Sequence, residues 1–133
     1  MGTWGPGVFE NDTACDFAAT VSKRGVQALI EALDRVLSVE GGYLDSPDAA
    51  EGLAAAEIIA RLKGSPGKED AYTASVDAWV RGSRTNPTDE LVEKAKRSIA
   101  RILAEPSELL ELWQESEDFD SWKRSVEDVL KRL

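Results

Sequence analysis

Apolar residues recur along this chain with the 3.6-residue period of amphipathic helices, and no stretch alternates long enough to read as a strand. The first stripe is Ala14, Phe17, Ala18 and Val21, spaced i, i+3, i+4 and i+7. Asn11 or Asp12 stands before it as a cap, because a short polar side chain can accept from the free amides of a first helical turn. Ser22-Lys23-Arg24-Gly25 predicts a short break. Val26, Leu29, Ile30, Leu33, Val36 and Leu37 then make a stronger stripe, with its stop expected at Gly41-Gly42.

Ser46 as cap and Pro47 at the first helical position predict a third helix with its body from Ala49 to Lys63. Its alanines (Ala49, Ala50, Ala54, Ala55, Ala56, Ala60) let neighbouring helices come close, so it is placed centrally. Leu53, Ile59 and Leu62 give it bulk, and Arg61 and Lys63 suit the carbonyl end of its dipole. Residues 64–67 read as a loop. A fourth helix is expected from Ala71 to Arg81 with Tyr72, Val76, Trp79 and Val80 inward, followed by a loop at 82–87. Thr88 caps a fifth helix striped by Leu91, Ala95, Ile99 and Ile102; Pro106 halts it, since the residue before a proline avoids helical geometry. A short sixth helix carries Leu109, Leu110, Leu112 and Trp113. The last runs from about Phe119 to Leu133. Trp122, Val126, Val129, Leu130 and Leu133 line one side of it, and Lys123–Glu127 and Arg124–Asp128 form i, i+4 pairs on the other.

The expected fold is all-α: one domain, 1–133, built as a compact irregular bundle of six or seven helices. Residues 1–10 form an extended arm packed on it. Gly2, Gly5 and Gly7 suit an irregular path, and Trp4, Val8 and Phe9 are the arm residues expected to turn into the core.

Composition narrows the chemistry more than the fold. At 133 residues, 42% hydrophobic and 31% charged, the chain can bury a core without metal or disulfide. Its single cysteine, Cys15, excludes an internal disulfide and suits a reducing compartment. There is no apolar run of the roughly 20 residues that cross a bilayer, and no basic-then-apolar leader. A cytoplasmic protein without a membrane partner is therefore expected. The net charge of −9 repels phosphate, so no nucleic-acid partner is expected either. Histidine is absent, which removes the usual general base, serine triads and ordinary zinc sites. Neither a P-loop nor a dinucleotide fingerprint is present. No catalytic residue, metal or cofactor is assigned, and oligomeric state is not readable.

The N-terminus carries a resemblance. Gly2-Thr3-Trp4-Gly5, Gly7, Phe9, Asn11-Asp12, Ala14 and Asp16-Phe17 resemble the opening of an uncharacterised bacterial family, domain of unknown function 4259. The similarity continues in Gly42-Tyr43-Leu44, in residues 54–60 and in residues 107–113, covering nearly the whole chain. It implies no activity and no residue role.

Three polar groups remain as candidates. Asn11, Asp12 and Asp16 form the first. One reading is a clasp, with one acid capping the first helix and Asp16 accepting amides of the folded-back arm. The other is a weak site for a hard cation. Glu57, on the alanine-rich helix, pairs with Arg61 at i+4 or, if buried, serves as an acid. The third is the stretch from Glu105 to Asp120, with seven acids (Glu105, Glu108, Glu111, Glu115, Glu117, Asp118, Asp120) and no Lys or Arg. Glu108, Glu111, Glu115 and Asp118 with Trp113 and Phe119 form a candidate partner-binding face. The opposite reading is a solvated face, its aromatics turned inward and its charge offset by Lys94, Lys96, Arg97 and Arg101. Cys15 sits near a helix N-terminus, which would lower its pKa; it reads instead as a small buried residue. The leading expectation is a non-catalytic acidic module that binds a basic protein. The alternatives are a carboxylate- or metal-dependent enzyme using Asp12, Asp16 or Glu57, and a nucleic-acid mimic.

Overall fold

The stripes close into a helical bundle in a computed structural model, which describes residues 2–83 and 85–133. Met1 of the expected arm and Arg84 of the loop expected at 82–87 lie outside the described residues. Among those described the helices are α1 (Asp12–Arg24), α2 (Val26–Leu37), α3 (Ser46–Leu62), α4 (Ala74–Ser83), α5 (Asp89–Ile102), α6 (Glu108–Gln114) and α7 (Phe119–Arg132). No helix is long and apolar enough to cross a membrane among the described residues.

α3 is the axis of the bundle. It packs against each of the other six helices, and every residue from Gly52 to Leu62 is buried. Small side chains make this possible: Ala54, Ala55, Ala56 and Ala60 are all shut from solvent. At Gly52 the approach is closer still, because a β-carbon there would overlap Val36 Cγ2 of α2. Overpacking at such a contact typically costs about 1–3 kcal/mol.

Several boundaries differ from the pattern for physical reasons. α1 continues through Ser22, Lys23 and Arg24, where the pattern places a break, and ends only at Gly25, in the positive-φ region at 67°, with its N–H on Val21 O at 2.7 Å. α2 ends at Leu37 rather than at the glycine pair; Gly41 (φ 71°) shapes the turn that follows. Ser46 is not the cap of α3. It is already helical, and its N–H donates to Glu108 Oε1 at 2.7 Å, so a side chain from α6 does the capping. α4 begins at Ala74 because Asp70 first closes a turn, Oδ1 accepting from Tyr72 N and Thr73 N. That turn leaves Tyr72 47% exposed, not inward. Thr88 caps α5 as expected, its hydroxyl accepting from Leu91 N at 3.1 Å. On α7 neither Lys123–Glu127 nor Arg124–Asp128 forms among the described residues; Asp128 instead holds Arg132 Nε at 2.9 Å. Leu112 and Leu130, assigned to apolar stripes by their spacing, are exposed.

The α2–α3 and α5–α6 connections are pinned by one side chain. The Arg101 guanidinium donates to Val39 O, Gly42 O, Ala104 O and Pro106 O. Leu44 N donates to Pro106 O and Glu108 N to Leu44 O, which fixes α6 beside the start of α3.

Candidate functional site

The arm is a clasp, though not with all the residues expected. Its backbone doubles back: Trp4 N donates to Glu10 O at 3.0 Å and Asp12 N to Gly2 O at 2.6 Å. Asn11 caps α1, with Oδ1 accepting from Ala14 N at 2.8 Å, while its Nδ2 donates to Val8 O. Glu10 folds under the glycines and accepts from Gly7 N at 2.8 Å. A β-carbon on Gly5 would lie 2.7 Å from the Glu10 carboxyl carbon, so a side chain there displaces that carboxylate. Ser125 Oγ ties the arm to α7 through Pro6 O at 3.0 Å.

Phe9 is buried as expected, but Trp4 is 43% exposed and packs on Tyr72, ring centroids 5.2 Å apart. Asp12 and Asp16 are both exposed. Among the described residues no arm amide is bonded to Asp16; Glu10 and Asn11 occupy that place. No group of three or more His, Cys, Asp or Glu is placed to hold a metal ion there or elsewhere among the described residues. The Cys15 thiol donates to Phe9 O at 3.3 Å. Burial, and then the carboxylates of Asp12, Asp16 and Asp70, push it up rather than down.

A second site lies behind the arm. Glu57 and Arg61 on α3 are 4% and 5% exposed. Glu57 Oε2 accepts from Arg61 Nε at 3.1 Å, the expected i, i+4 pair. Arg132, from the end of α7, grips the same carboxylate with both terminal nitrogens at 2.7 and 2.6 Å. Those hydrogen bonds, against the opposing effect of burial, raise the Arg132 guanidinium above its ordinary value. Arg61 also donates to Asp77 Oδ1 at 2.6 Å and to Lys68 O at 2.6 Å. Thr73 Oγ1 donates to the other Asp77 oxygen. A cleft of about 210 Å³ opens over this network and is walled by the arm, Lys68, Asp70, Ser125 and Asp128. Its floor is already matched charge for charge. Glu57 Oε2 accepts two of these bonds and Oε1 one.

The third site is the acidic stretch. Glu105, Glu111, Glu115, Glu117, Asp118 and Asp120 are exposed, whereas Glu108 is half-buried as the α3 cap. Trp113 stacks on buried Trp122 with centroids 6.0 Å apart and planes 9° from parallel; Phe119 leans on the same ring. Both aromatics are half-buried. The exposed large apolar residues here are Leu112 at 53% and Tyr43 at 49%. Partial desolvation first, then Glu111 and the charges of Glu108 and Asp45, push the Tyr43 phenol up to about 12.

Two of the four α5 cations are bonded away from these carboxylates. Lys94 pairs with Asp34 at 2.7 Å, and Arg101 is held by the carbonyls described above. Among the described residues no ion pair reaches any of the seven acids. Beside them a groove of about 150 Å³ runs between α6 and the arm, lined by Leu109, Leu112, Trp113, Trp122, Val8 and Pro47 among others.

The profile of one protein family, described as Domain of unknown function (DUF4259), matches residues 2–125. The chain belongs to this family. No curated protein and no solved structure matches it. The DUF4259 match agrees with the resemblance carried by the N-terminal motif. In this chain the motif's glycines make room for Glu10 and its Asn11 caps a helix.

Sequence spacing in this DUF4259 chain does not reveal Arg132, Asp77, Glu10, Tyr43 or Leu112. For Asp128–Arg132 the i, i+4 spacing is a usable signal. For Arg132 against Glu57, 75 residues apart, there is none. Leu112 is misplaced because a helix as short as α6 buries little of its surface, here Leu110.

Proposed function

We propose that this protein is a non-catalytic interaction module that presents the acidic face of residues 105–120 to a basic partner protein. The supporting observation is that, among the described residues, none of the seven acids of this face is in an ion pair, and Lys94 of the neighbouring helix pairs with Asp34 instead. Uncompensated acids around an apolar centre suit association, because the charge steers a basic partner and the apolar groove holds it. Here the rim is Glu111, Glu115, Glu117 and Asp118, and the centre is Leu112, with Trp113 at the groove wall.

The fitting partner is a protein segment in which lysine or arginine flanks an apolar side chain. With a net charge of −9, the chain disfavours nucleic acid and anionic membrane as partners. A cytoplasmic location is consistent with the lone cysteine. An enzymatic reading through Glu57 has less support, since two arginines hold that carboxylate.

The test is an NMR titration of the whole chain with a short peptide that alternates leucine with lysine and arginine. Amide shifts concentrated on α6, Tyr43 and the groove support the proposal. Shifts confined to other surfaces, or none at low salt, reject it.

A further inference from the structure

A second cluster of exposed aromatics lies away from α6, where the arm meets the turn before α4. Trp4 and Tyr72 come from segments 68 residues apart in sequence, and both remain more than two-fifths exposed. Their rings sit 5.2 Å apart and are tilted by 46°, so they form an open angle rather than a closed stack. The core does not need either ring: Phe9 is the arm residue that is buried. Two large rings held together at the surface are a costly arrangement for a monomer unless something covers them.

The charges around the pair indicate what that is. Asp70 begins the turn that carries Tyr72, its Oδ1 accepting from Tyr72 N at 2.9 Å. Asp12 is bonded through its backbone to Gly2 of the arm, and a β-carbon on Gly2 would lie 3.6 Å from the Asp12 carboxylate. Asp12, Asp16 and Asp70 all act on Cys15, whose thiol is bonded to Phe9 O of the arm, so this corner of the molecule is acidic. Among the described residues neither Asp12 nor Asp16 is in an ion pair, and Asp70 meets only the largely exposed Lys68, at 3.8 Å. Ring faces carry negative electrostatic potential and attract cations, most of all a flat guanidinium, and adjacent carboxylates add to that attraction.

We propose that Trp4 and Tyr72, with Asp12, Asp16 and Asp70, form a receptor for an arginine side chain of the basic partner. The inference rests on the proposed function in taking the partner to be basic, but it assigns a separate contact. The guanidinium lies across the Trp4 and Tyr72 faces with the carboxylates at its edge, so the partner bridges this corner and the α6 face.

The test follows the Trp4 indole N–H resonance of the full chain while a glycine peptide containing one arginine is added, and then the same peptide with citrulline, the neutral isostere. The arginine peptide is expected to shift the resonance saturably. Citrulline should be weaker by about threefold or more, and Tyr72→Ala should remove the response while circular dichroism stays unchanged. Because Trp4→Ala deletes the reporter, Tyr72→Phe is the second variant; it keeps the ring and should retain the response. An equal response to citrulline, or none to arginine, overturns the inference. So does a Trp4 resonance that depends on protein concentration without peptide, which would assign the corner to a second copy of this chain. Replacing Glu111, Glu115 and Asp118 by their amides separates the two proposals. If the Trp4 response survives while binding of the leucine–lysine–arginine peptide to α6 is already absent in the wild type, the corner stands and the acidic-face reading falls. If the α6 response is normal and Trp4 is silent, the reverse holds.

Discussion

Around Glu57, carboxylates and guanidiniums from α3, α4 and α7 are engaged with one another; along residues 105–120, among the described residues, no carboxylate is in an ion pair. The two regions have similar raw material and opposite settings. Glu57, Arg61 and Asp77 are buried, where an unpaired charge costs several kcal/mol, so the fold leaves none unpaired. The acids of the 105–120 stretch are mostly at the surface, where water screens them and the fold tolerates their mutual repulsion. Charge is therefore matched inside the fold in the first region, and in the second it faces solvent, which is what the proposed partner contact requires.

The largest effect that separates the two is Arg61→Met. It strands Asp77 in the interior, leaves Glu57 with Arg132 alone, and should destabilise by about 3–5 kcal/mol, measured by urea unfolding. Glu111→Gln, on the acidic face, should change stability by no more than about 0.5 kcal/mol. Comparable losses from both would remove the distinction.

A smaller contrast sits inside the N-terminal motif. Asn11→Ala loses the α1 cap and the bond to Val8 O, at a cost of about 1 kcal/mol. Asp16→Ala, which removes an exposed carboxylate, should stay within about 0.5 kcal/mol. A marked loss from Asp16→Ala would return that acid to the clasp.

The motif illustrates what a sequence discloses. The helices were legible because their stripes are local: Ala14, Phe17, Ala18 and Val21 are all buried in α1, and Thr88 caps α5 where its spacing places it. Glu57–Arg61 was legible for the same reason, being a single helical turn. Contacts between distant segments were not. Nothing near Ser46 signals that Glu108 caps it, and nothing near Glu57 signals Arg132. Trp4 and Tyr72 were misplaced because a large apolar residue reads as core, while turn geometry at Asp70 and the tight fold of the arm hold both rings outside. The acid run was plain as a composition; whether cations on α5 offset it depended on where Lys94 and Arg101 point.

The smallest effect is a titration. Tyr43 ionises at about 12 because partial desolvation and then Glu111, Glu108 and Asp45 oppose phenolate, whereas an unperturbed phenol ionises near 10. The fold thus favours the protonated phenol. Its contribution to stability is full below about pH 10 and is lost as pH rises through about 12. Ultraviolet absorbance should show this late phenolate, and Glu111→Gln should move it down. An unmoved midpoint would mean that Glu111 does not act at Tyr43.

The most direct test of the central claim is the affinity of the leucine–lysine–arginine peptide for the wild type and for a chain carrying Glu111→Gln, Glu115→Gln, Glu117→Gln and Asp118→Asn, measured by calorimetry at low and high salt. If this face is available to a basic partner, the wild type binds, the variant binds at least about tenfold more weakly, and salt weakens the wild type far more than the variant. Equal affinity and equal salt dependence for both chains would contradict the account.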